Sequence, residues 1–511
     1  MRLAAVVGAL AMAADLSAGL AAEKSLRTVL LATRLAQRVG ATADDEATVF
    51  WVTALRFVGC TGFSHESAPF GAGDDNSIRN TLAYADFDRP LELIPRIVRG
   101  FGPDARVDAK AKGLARFFLG ARETPRRHAQ TRCESAVFFA QSLGMSQDVT
   151  RALDVTEERF DGRGPRGVRA EDMPLAARVA DVADVAELFA WTGGEELART
   201  VLEQRRGRTL DPALVDAVTS EMPALLAGLR AGSVWDEYLA CEPTPVRASG
   251  DDVDHACVAL GRFSDLKSVY TLTHSRRVAE LAQAAAQAAG LGADENALLR
   301  RAASVHDLGR VAVATGTWDK RGALNPIEWQ RVRSHSHHTE AVLRGAGLDA
   351  LADVAGATHE RGGGAGYHKA RSLDAVPLLA KILAAADVAA ALGEERPHRP
   401  ALDEQRATRE LRAHVDSGAL DARAVALVLE GRGVAPARRS AWPGGLSDRE
   451  VEVVRLVAIG RTNKEIGSLL GMSPRTAQKH VMNVYDKLGL ESRAGLALYA
   501  LEQGLLDRPE H

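Results

Sequence analysis

The sequence predicts an all-α protein made of two related helical modules and a smaller helical tail domain. Three observations support this fold class. Alanine, leucine and arginine are abundant and aromatic residues make up only 5% of the chain, a composition that favours helices. Two long stretches of the chain repeat each other, and the C-terminal stretch places apolar residues at helical spacing. A length of 511 residues exceeds what one hydrophobic core supports and indicates about three domains.

Charge and cysteine content narrow the class of protein. The formal net charge is −3, so no basic field over the whole chain attracts nucleic acid, and any DNA-binding surface must be local. The cysteines are Cys60, Cys133, Cys241 and Cys257, and they form no C-x-x-C pair. This pattern indicates reduced thiols in the cytoplasm and excludes a zinc site built from cysteines.

The N-terminal residues 1–20 have the apolar character of a secretory signal, but Asp15 interrupts them. Because these residues also belong to the repeat described next, we expect an ordinary helix here. No apolar run approaches the roughly 20 residues of a membrane-spanning helix. We therefore expect a cytoplasmic protein with no membrane partner.

An internal repeat defines the first and second modules. Asp15-Leu16 recurs as Asp265-Leu266, at a spacing of 250 residues, and Asp184 later matches Asp387 at a spacing of 203. The fall in spacing indicates an insertion in the first copy. We place the insertion around residues 63–104, because that segment is rich in Gly, Asp and Pro.

The chain divides into five predicted segments: a first module at residues 1–219, a linker at 220–253, a second module at 254–430, a linker at 431–445 and a tail domain at 446–511. Helix breakers are frequent in the first linker. The second linker has four glycines, two prolines and three arginines, which is typical of a flexible basic connection.

The second module carries an ordered series of metal-ligating residue types. The adjacent pair His306-Asp307 lies near the end of an alanine-rich helical run, where a buried charge without a partner is costly. The further members of the series are His274, His335, His359 and Asp387. A lone His-Asp pair is more simply a core histidine beside a helix-capping aspartate, but the whole series favours one or two divalent metal ions. Nitrogen and oxygen ligands without cysteine suit iron, manganese or zinc.

The first module has lost most of this series. Lys24 stands at the position of His274, Arg56-Phe57 at that of His306-Asp307 and Glu157 at that of His359, while Asp184 is kept at that of Asp387. We therefore expect the first module to bind no metal cluster and to serve as a structural, dimerising or sensing module.

The order of residues in the second module resembles the HD-GYP branch of the HD phosphohydrolase superfamily. The residues that carry the resemblance are His274, His306-Asp307, His335, His359, Gly366-Tyr367 and Asp387. The resemblance implies two HD-type helical bundles, the first degenerate, and two or sometimes three metal ions, usually iron or manganese. These ions activate a water that attacks the phosphodiester of cyclic di-GMP. It also implies catalytic roles for Asp307, which would bridge the ions, and for Arg310, which stands where the family has a lysine.

The chain departs from the HD-GYP pattern at several positions. Thr358 replaces the first histidine of a His-His-Glu motif, so a second ion at Asp307, His335 and His359 would lack one ligand. The remaining departures are Tyr270 for a glutamate, Arg310 for a lysine, Gly363-Gly364 for Asp-Gly and His368 for a proline. His337 or His338 is a candidate substitute ligand, although exposed histidines beside His335 are the simpler interpretation.

Three hypotheses follow for the second module. It senses a ligand, such as a nucleotide second messenger, with catalysis weak or lost; it is an active metal-dependent phosphohydrolase similar to a cyclic dinucleotide phosphodiesterase; or it is a scaffold with no small-molecule partner. Thr358 makes the first hypothesis our preferred one.

The tail domain has the pattern of a helix-turn-helix. Ser447 and Glu450 form a capping-box pattern before the first predicted helix, and Gly460 ends it. Three further helices are predicted at residues 463–470, 475–488 and 492–503, with a turn at Gly471-Met472-Ser473-Pro474 between the first two.

The tail motifs resemble the LuxR/FixJ-type DNA-binding domain. They are Arg461-Thr-Asn-Lys-Glu-Ile466, Ser473-Pro-Arg-Thr476, His480-Val, Asn483-Val and Lys487-Leu-Gly. The resemblance implies a four-helix domain that binds double-stranded DNA, usually as a dimer, with helix 475–488 in the major groove. The candidate DNA-binding residues are Thr462, Asn463, Lys464, Arg475, Gln478, Lys479, Asn483 and Lys487. Thr476, Val481, Val484 and Leu488 are predicted to pack inside. A LuxR-type transcription regulator that forms a homodimer is the resulting prediction; a protein-binding helical bundle is the alternative for the tail.

Overall fold

The computed structural model of the protein describes residues 2–120, 124–247, 250–432 and 442–506. Parts of the two predicted linkers and of the tail domain lie outside the described residues. They are residues 248–249 of the linker 220–253, residues 433–441 of the linker 431–445 and residues 507–511 of the tail domain. The described residues form α-helices and short 3-10 helices without a β-strand, so the predicted all-α class is confirmed. Among them, no single helix has both the length and the apolar character to cross a membrane, and the bent pair Ala43–Gly62 and Ser64–Gly71 has both only when its two parts are combined.

The α-helices of the first half of the chain are α1 (Leu3–Ser17), α2 (Lys24–Arg38), α3 (Ala43–Leu55), α4 (Ser64–Ser67), α5 (Asp75–Ala83), α6 (Pro90–Gly100), α7 (Val107–Leu119), α8 (Thr124–Ser142), α9 (Gln147–Leu153), α10 (Leu175–Arg205), α11 (Pro212–Leu225) and α12 (Trp235–Ala240). Short 3-10 helices lie at Val58–Phe63, Ala68–Gly71 and Ala170–Asp172.

The α-helices of the second half are α13 (Gly250–Asp265), α14 (His274–Ala288), α15 (Ala293–Val305), α16 (Thr315–Trp318), α17 (Pro326–Gly345), α18 (Asp349–Ala355), α19 (Leu378–Leu392), α20 (Glu404–Asp416), α21 (Ala422–Gly431), α22 (Asp448–Ala458), α23 (Asn463–Leu469), α24 (Pro474–Leu488) and α25 (Arg493–Glu502). Short 3-10 helices lie at Leu308–Ala312, Gly362–Gly364, Leu373–Ala375 and Pro443–Gly445.

The chain forms two compact units. The first comprises Met1–Phe63, Pro69–Ala72 and Asn76–Ala256, and the second comprises Ser64–Ala68, Gly73–Asp75 and Cys257–His511. The first unit therefore includes α12, which lies within the predicted linker 220–253, and the second unit includes both the second module and the tail domain.

Helices of the two modules begin and end at equivalent positions. Helices α2 and α14 both have 15 residues and begin 250 residues apart. Helices α3 and α15 both have 13 residues and begin at the same spacing. Helices α9 and α18 both have 7 residues and begin 202 residues apart. The helix boundaries therefore follow the sequence repeat.

A buried aspartate fixes the start of the second helix in each module. Asp15, on the largely buried α1, accepts hydrogen bonds from Ser25 N at 2.8 Å and Ser25 Oγ at 2.6 Å. Asp265 accepts the equivalent bonds from Ser275 at 3.0 and 2.8 Å. Burial raises the pKa of Asp15 to about 7 and that of Asp265 to about 6, although both serines act against the shift. These bonds satisfy first-turn N–H groups that the helix itself leaves without a partner.

Helices α5, α6 and α7 form the insertion of the first module. They lie between the 3-10 helix Val58–Phe63 and α8, an interval whose counterpart in the second module contains the four-residue α16. Their buried apolar cluster is Ile78, Ile97, Phe101 and Phe117. The predicted insertion at residues 63–104 is therefore too short, because α7 ends at Leu119. Its proline content is compatible with helices, since Pro90 occupies the first turn of α6.

Four helices, α22 to α25, form the tail domain around an apolar core of its own, to which Val454, Ile466, Val481 and Leu496 contribute. The predicted capping box of Ser447 and Glu450 is present at α22. The observed bounds of α23, α24 and α25 differ from the predicted ones by no more than one residue at an end.

The first unit buries ion pairs between α2 and α10. The ammonium group of Lys24 pairs with the carboxylate of Asp184, and Arg27 Nε lies 2.6 Å from Glu187 Oε1. Burial lowers the pKa of Lys24 to about 8, against the opposing effects of Glu187 and Asp15. The interior of this bundle therefore depends on charged groups that balance one another.

Replacing Lys24 with methionine should destabilise the protein, because Asp184 would keep its charge without the ammonium group. Removing one partner of a buried pair typically costs about 3–5 kcal/mol. Scanning calorimetry of the full chain should show a lower melting temperature for one transition. The variant Lys112→Met, at an exposed lysine of the same unit, is the matched control. The double variant Lys24→Met with Asp184→Asn should recover most of the loss, and a single variant as stable as the control would contradict the assignment.

Candidate functional site

The structure brings the candidate metal ligands of the second module into one buried cluster. His274 begins α14, His306 and Asp307 follow α15, His335 lies within α17, His359 follows α18 and Asp387 lies within α19. Each of these residues is at most 7% exposed. Five helices of the second module therefore position the six candidate ligands around one point.

The first group of ligand atoms belongs to His274, His306 and Asp387, which lie within 4.8 Å of one another. His274 Nε2 is 3.2 Å from Asp387 Oδ1 and 3.5 Å from Asp307 Oδ2. His306 Nε2 is 3.3 Å from Asp307 Oδ2 and 3.8 Å from Asp387 Oδ1. Two imidazole nitrogens and two carboxylates thus face one small volume.

The second group consists of Asp307, His335 and His359. Asp307 Oδ1 is 3.1 Å from His335 Nε2 and 3.5 Å from His359 Nε2, and the two nitrogens are 2.9 Å apart. Asp307 therefore offers Oδ2 to the first group and Oδ1 to the second. A carboxylate placed in this way would suit a site for two divalent cations.

The donor atoms fit a divalent cation. The Nδ1 atoms of His306 and His335 lie 2.8 and 2.5 Å from the carbonyl oxygens of Ala303 and Val332, so each Nδ1–H donates and each Nε2 keeps its lone pair for the cluster. His306 Nε2 and both carboxylate oxygens of Asp307 are buried and find no hydrogen bond of good geometry among the described residues. Buried polar atoms without such bonds are costly unless a cation satisfies them.

The pKa shifts of the cluster residues also favour a bound cation. Burial opposes the charged form of His306, but Asp307 and Asp387 outweigh it and raise the pKa of the imidazole to about 10. Burial also opposes ionisation of Asp307, yet Arg310 and His306 hold the pKa of its carboxyl well below the usual value. The carboxylates therefore demand a nearby positive charge, which a proton or a metal ion can supply. Burial lowers the pKa of His359 to about 4, which favours the neutral form that ligates metals.

Arg310 lies directly beside the cluster. Its Nη2 pairs with Asp307 Oδ2, and its guanidinium carbon is 4.8 Å from the ring centre of Trp318. Nε and Nη1 of Arg310 are buried without a hydrogen-bond partner among the described residues. Two nitrogens of the guanidinium can therefore still donate hydrogen bonds next to the candidate metal ligands.

The side chain at the position that departs most from the expected ligand set is hydrogen bonded to the backbone at the end of α18. Thr358 is fully buried and its Oγ1 donates to the carbonyl oxygen of Ala355 at 2.8 Å. His337 and His338 are not in either group of candidate ligands found among the described residues; the His337 ring instead lies 5.5 Å from that of His368. The structure therefore does not place a substitute for the ligand lost at Thr358.

Two residues that contact the cluster were not predicted as site residues. Glu394 was not singled out from the sequence, and Tyr367 was named only as part of the Gly366-Tyr367 motif. Glu394 Oε2 accepts a hydrogen bond from His274 Nδ1 at 2.9 Å, and Arg396 Nη2 donates to the same oxygen at 2.8 Å. The Tyr367 ring stacks on His359, with ring centres 5.2 Å apart and an angle of 8°. Glu394 follows the end of α19 in a Gly-Glu-Glu-Arg run, where no periodicity separates a functional glutamate from a solvated one.

The first module places fixed cations where the second has histidines. Lys24, at the position of His274, pairs with Asp184. Arg56, at the position of His306, has Nη2 2.8 Å from Asp181 Oδ1, and Arg132 contacts Glu157 at 3.0 Å. These side-chain charges support the expectation that the first module holds no metal cluster.

The candidate DNA-binding residues lie mainly on the outer face of the tail domain. On α24, Arg475, Gln478, Lys479, Asn483 and Lys487 are exposed, and so are Thr462 and Lys464 at the start of α23, while Asn463 is half-buried.

The residues predicted to pack inside the tail domain are only partly confirmed. Val481 and Val484 pack inside as predicted. The prediction for Thr476 was wrong: it is exposed, and its backbone N–H donates to Ser473 Oγ at 3.1 Å because it lies in the capped first turn. Lys487 Nζ contacts Glu450 Oε2 at 2.8 Å within the domain.

Comparison with known proteins agrees with this division of the chain. Residues 264–424 match the family described as HD domain, and residues 445–500 match bacterial regulatory proteins of the luxR family. A 3'3'-cGAMP-specific phosphodiesterase 3 from Vibrio cholerae is 28% identical over 77% of this chain and 86% of its own length. The transcriptional regulatory protein MctR of Rhizobium johnstonii is 41% identical over 12% of this chain and 29% of its own length.

A crystal structure of a cyclic GMP-AMP-specific phosphodiesterase from V. cholerae has the same fold over 85% of this chain and 99% of its own, with a TM-score of 0.59 and 24% identity. Both resemblances predicted from the motifs are confirmed at the level of these families. The chain therefore combines an HD phosphohydrolase-like region with a C-terminal helix-turn-helix domain of the LuxR type.

Proposed function

We propose that the protein is a DNA-binding transcription regulator whose HD domain holds a divalent metal ion and binds a cyclic dinucleotide. The observation that carries the proposal is the position of Asp307, whose two carboxylate oxygens face two groups of candidate ligands. The LuxR-type tail supplies the DNA-binding function. A cytoplasmic location and a homodimer on paired half-sites complete the proposal.

In this proposal the two metal ions have different numbers of protein ligands. His274, His306, Asp307 and Asp387 would hold one ion, and Asp307, His335 and His359 would hold a second with fewer ligands. When bound, iron, manganese or zinc lowers the pKa of a bound water and offsets negative charge on phosphodiester oxygens. The donors of Arg310 that have no partner among the described residues suit a phosphate oxygen, since hydrogen bonds from a guanidinium to a phosphate are charge-assisted. The chain's own residues thus provide an anion-binding site beside the candidate metal ligands.

The choice of a cyclic dinucleotide rests on the relatives. The similar V. cholerae proteins are named as 3'3'-cGAMP-specific phosphodiesterases, so 3'3'-cGAMP is the first compound to test. Cyclic di-GMP is the second, because the motifs of the second module resemble the HD-GYP branch. Thr358 favours a sensor with weak hydrolysis, because the second group of ligands is incomplete. An active phosphohydrolase coupled to DNA binding is the second candidate function, favoured by the intact first group.

The purified full chain, after reconstitution with Fe²⁺ or Mn²⁺, should retain close to one metal ion per chain or more. Elemental analysis after desalting measures this content. His306→Ala should reduce it severalfold, because an Nε2 ligand is lost from the better-formed group. His337→Ala is the matched control on the exposed face of α17 and should bind as the parent does. A parent chain with less than about a tenth of an ion would end the proposal of a metal centre.

Hydrolysis of 3'3'-cGAMP or cyclic di-GMP should be weak in the parent and faster in Thr358→His, which restores an imidazole beside His359. An increase of about tenfold or more is expected, since a second ion would share the developing charge. Thr200→His, which adds an exposed histidine to the first unit, controls for adventitious metal binding. Turnover that persists in His306→Ala would argue that the activity arises outside this site.

Replacing Lys479 with alanine should weaken binding of the full chain to duplex DNA. It should also lower the slope of log affinity against log salt by about 1, because a cation near the phosphates is removed. Fluorescence anisotropy over a salt series measures both quantities. Lys112→Ala removes an exposed lysine outside the tail domain and should leave both unchanged. A slope for Lys479→Ala equal to that of the parent would contradict a phosphate or base contact there.

A further inference from the structure

Glu394 stands behind one of the candidate metal ligands. His274 presents Nε2 to Asp387 at 3.2 Å, and its other ring nitrogen, Nδ1, donates to Glu394 Oε2 at 2.9 Å. Both side chains are buried, at 1% and 7% exposure. Glu394 therefore lies on the side of the imidazole that faces away from the cluster.

We propose that Glu394 is a positioning residue for the candidate metal centre: its carboxylate fixes the tautomer and direction of His274, so that Nε2 keeps its lone pair for the cation. This inference rests on the proposed function of the HD domain. It extends that function to a residue outside the ligand set. A carboxylate behind a ligating histidine also makes the imidazole a stronger ligand, since the negative charge favours donation from the opposite nitrogen.

Two of the other three cluster histidines are held differently. His306 and His335 direct their Nδ1 atoms to the carbonyl oxygens of Ala303 and Val332. These are neutral acceptors fixed by the helix backbone. His274 is the first residue of α14 and lacks a carbonyl one turn earlier in the same helix. A side chain from another part of the module takes that role, and it brings a full negative charge.

The turn after α19 keeps Glu394 in place. Arg396 Nη2 donates to Glu394 Oε2 at 2.8 Å, and the backbone of Arg396 is hydrogen bonded to that of Arg399 in both directions, at 2.9 and 3.1 Å. Gly393 ends α19 as its C-cap. The guanidinium of Arg396 offsets the charge of the buried carboxylate, which would otherwise be costly to bury.

The first module provides an independent comparison. At the spacing of 203 residues that relates Asp184 to Asp387, the position of Glu394 is occupied by Trp191. The histidine position is occupied by Lys24, which has no second nitrogen to orient. The module that has lost the histidine has therefore also lost the carboxylate behind it, as expected if Glu394 serves His274.

The test compares Mn²⁺ affinity of the full chain with that of Glu394→Ala, Glu394→Gln and the control Glu395→Gln. Glu395 is the exposed neighbour of Glu394. Competition with a fluorescent chelator gives the dissociation constants. Loss of an outer-shell partner typically weakens metal binding about 10- to 100-fold, and we expect this for Glu394→Ala. Glu394→Gln should lie between Glu394→Ala and the parent, because the amide oxygen still accepts the Nδ1–H but carries no charge. Glu395→Gln should match the parent.

Melting temperatures measured with a chelator present separate positioning from folding. If Glu394→Ala unfolds, the comparison passes to Glu394→Gln, which keeps the shape and the acceptor. A folded Glu394→Ala that binds Mn²⁺ as tightly as Glu395→Gln overturns this inference and leaves the metal centre standing. A parent chain that binds no Mn²⁺ overturns both.

Discussion

Burial of the Asp307 carboxylate is the constraint from which the organisation of the second module follows. An ionised carboxylate deep in a helical bundle is expensive unless positive charge and hydrogen-bond donors surround it. Four imidazoles and the guanidinium of Arg310 meet that demand. They do so with Nε2 atoms directed inward, which is an arrangement that a proton satisfies poorly and a divalent cation satisfies well.

The two modules solve the same electrostatic problem in two ways. In the second, the acidic residue of α19 faces imidazoles whose charge depends on protonation or on a bound ion. In the first, Asp184 on the equivalent helix α10 faces the permanent ammonium group of Lys24. The buried acidic residues of the first module are therefore balanced by side-chain charges of the same module. The hydrogen bond between Asp15 and Ser25 recurs at Asp265 and Ser275, so the two modules share this contact despite the difference.

The all-α class and the repeat were accessible from the sequence, because helix periodicity and residue spacing carry that information locally. The meeting of the six candidate ligands was expected from their order along the chain and from the resemblance to the HD-GYP branch. The helices of the insertion were not predicted, because the insertion was placed from its glycine, aspartate and proline content, although apolar residues such as Ile97 and Phe101 recur at helical spacing. Thr476 was placed inside from its motif, yet the capped first turn exposes it. Glu394 was missed because its contact with His274 depends on how the turn after α19 folds back, which no local pattern encodes.

The contact between Lys487 and Glu450 has a consequence for how the tail domain approaches a duplex. The carboxylate of Glu450 also closes the capping box of α22 with Ser447, and the hydrogen bond from Lys487 helps to hold its pKa at about 2. A phosphate that attracts Lys487 must compete with this internal acceptor. In the proposed DNA complex, attraction gained from a phosphate would be partly offset by the lost contact with Glu450. Lys487 is therefore expected to contribute less to DNA affinity than an exposed lysine without an internal partner.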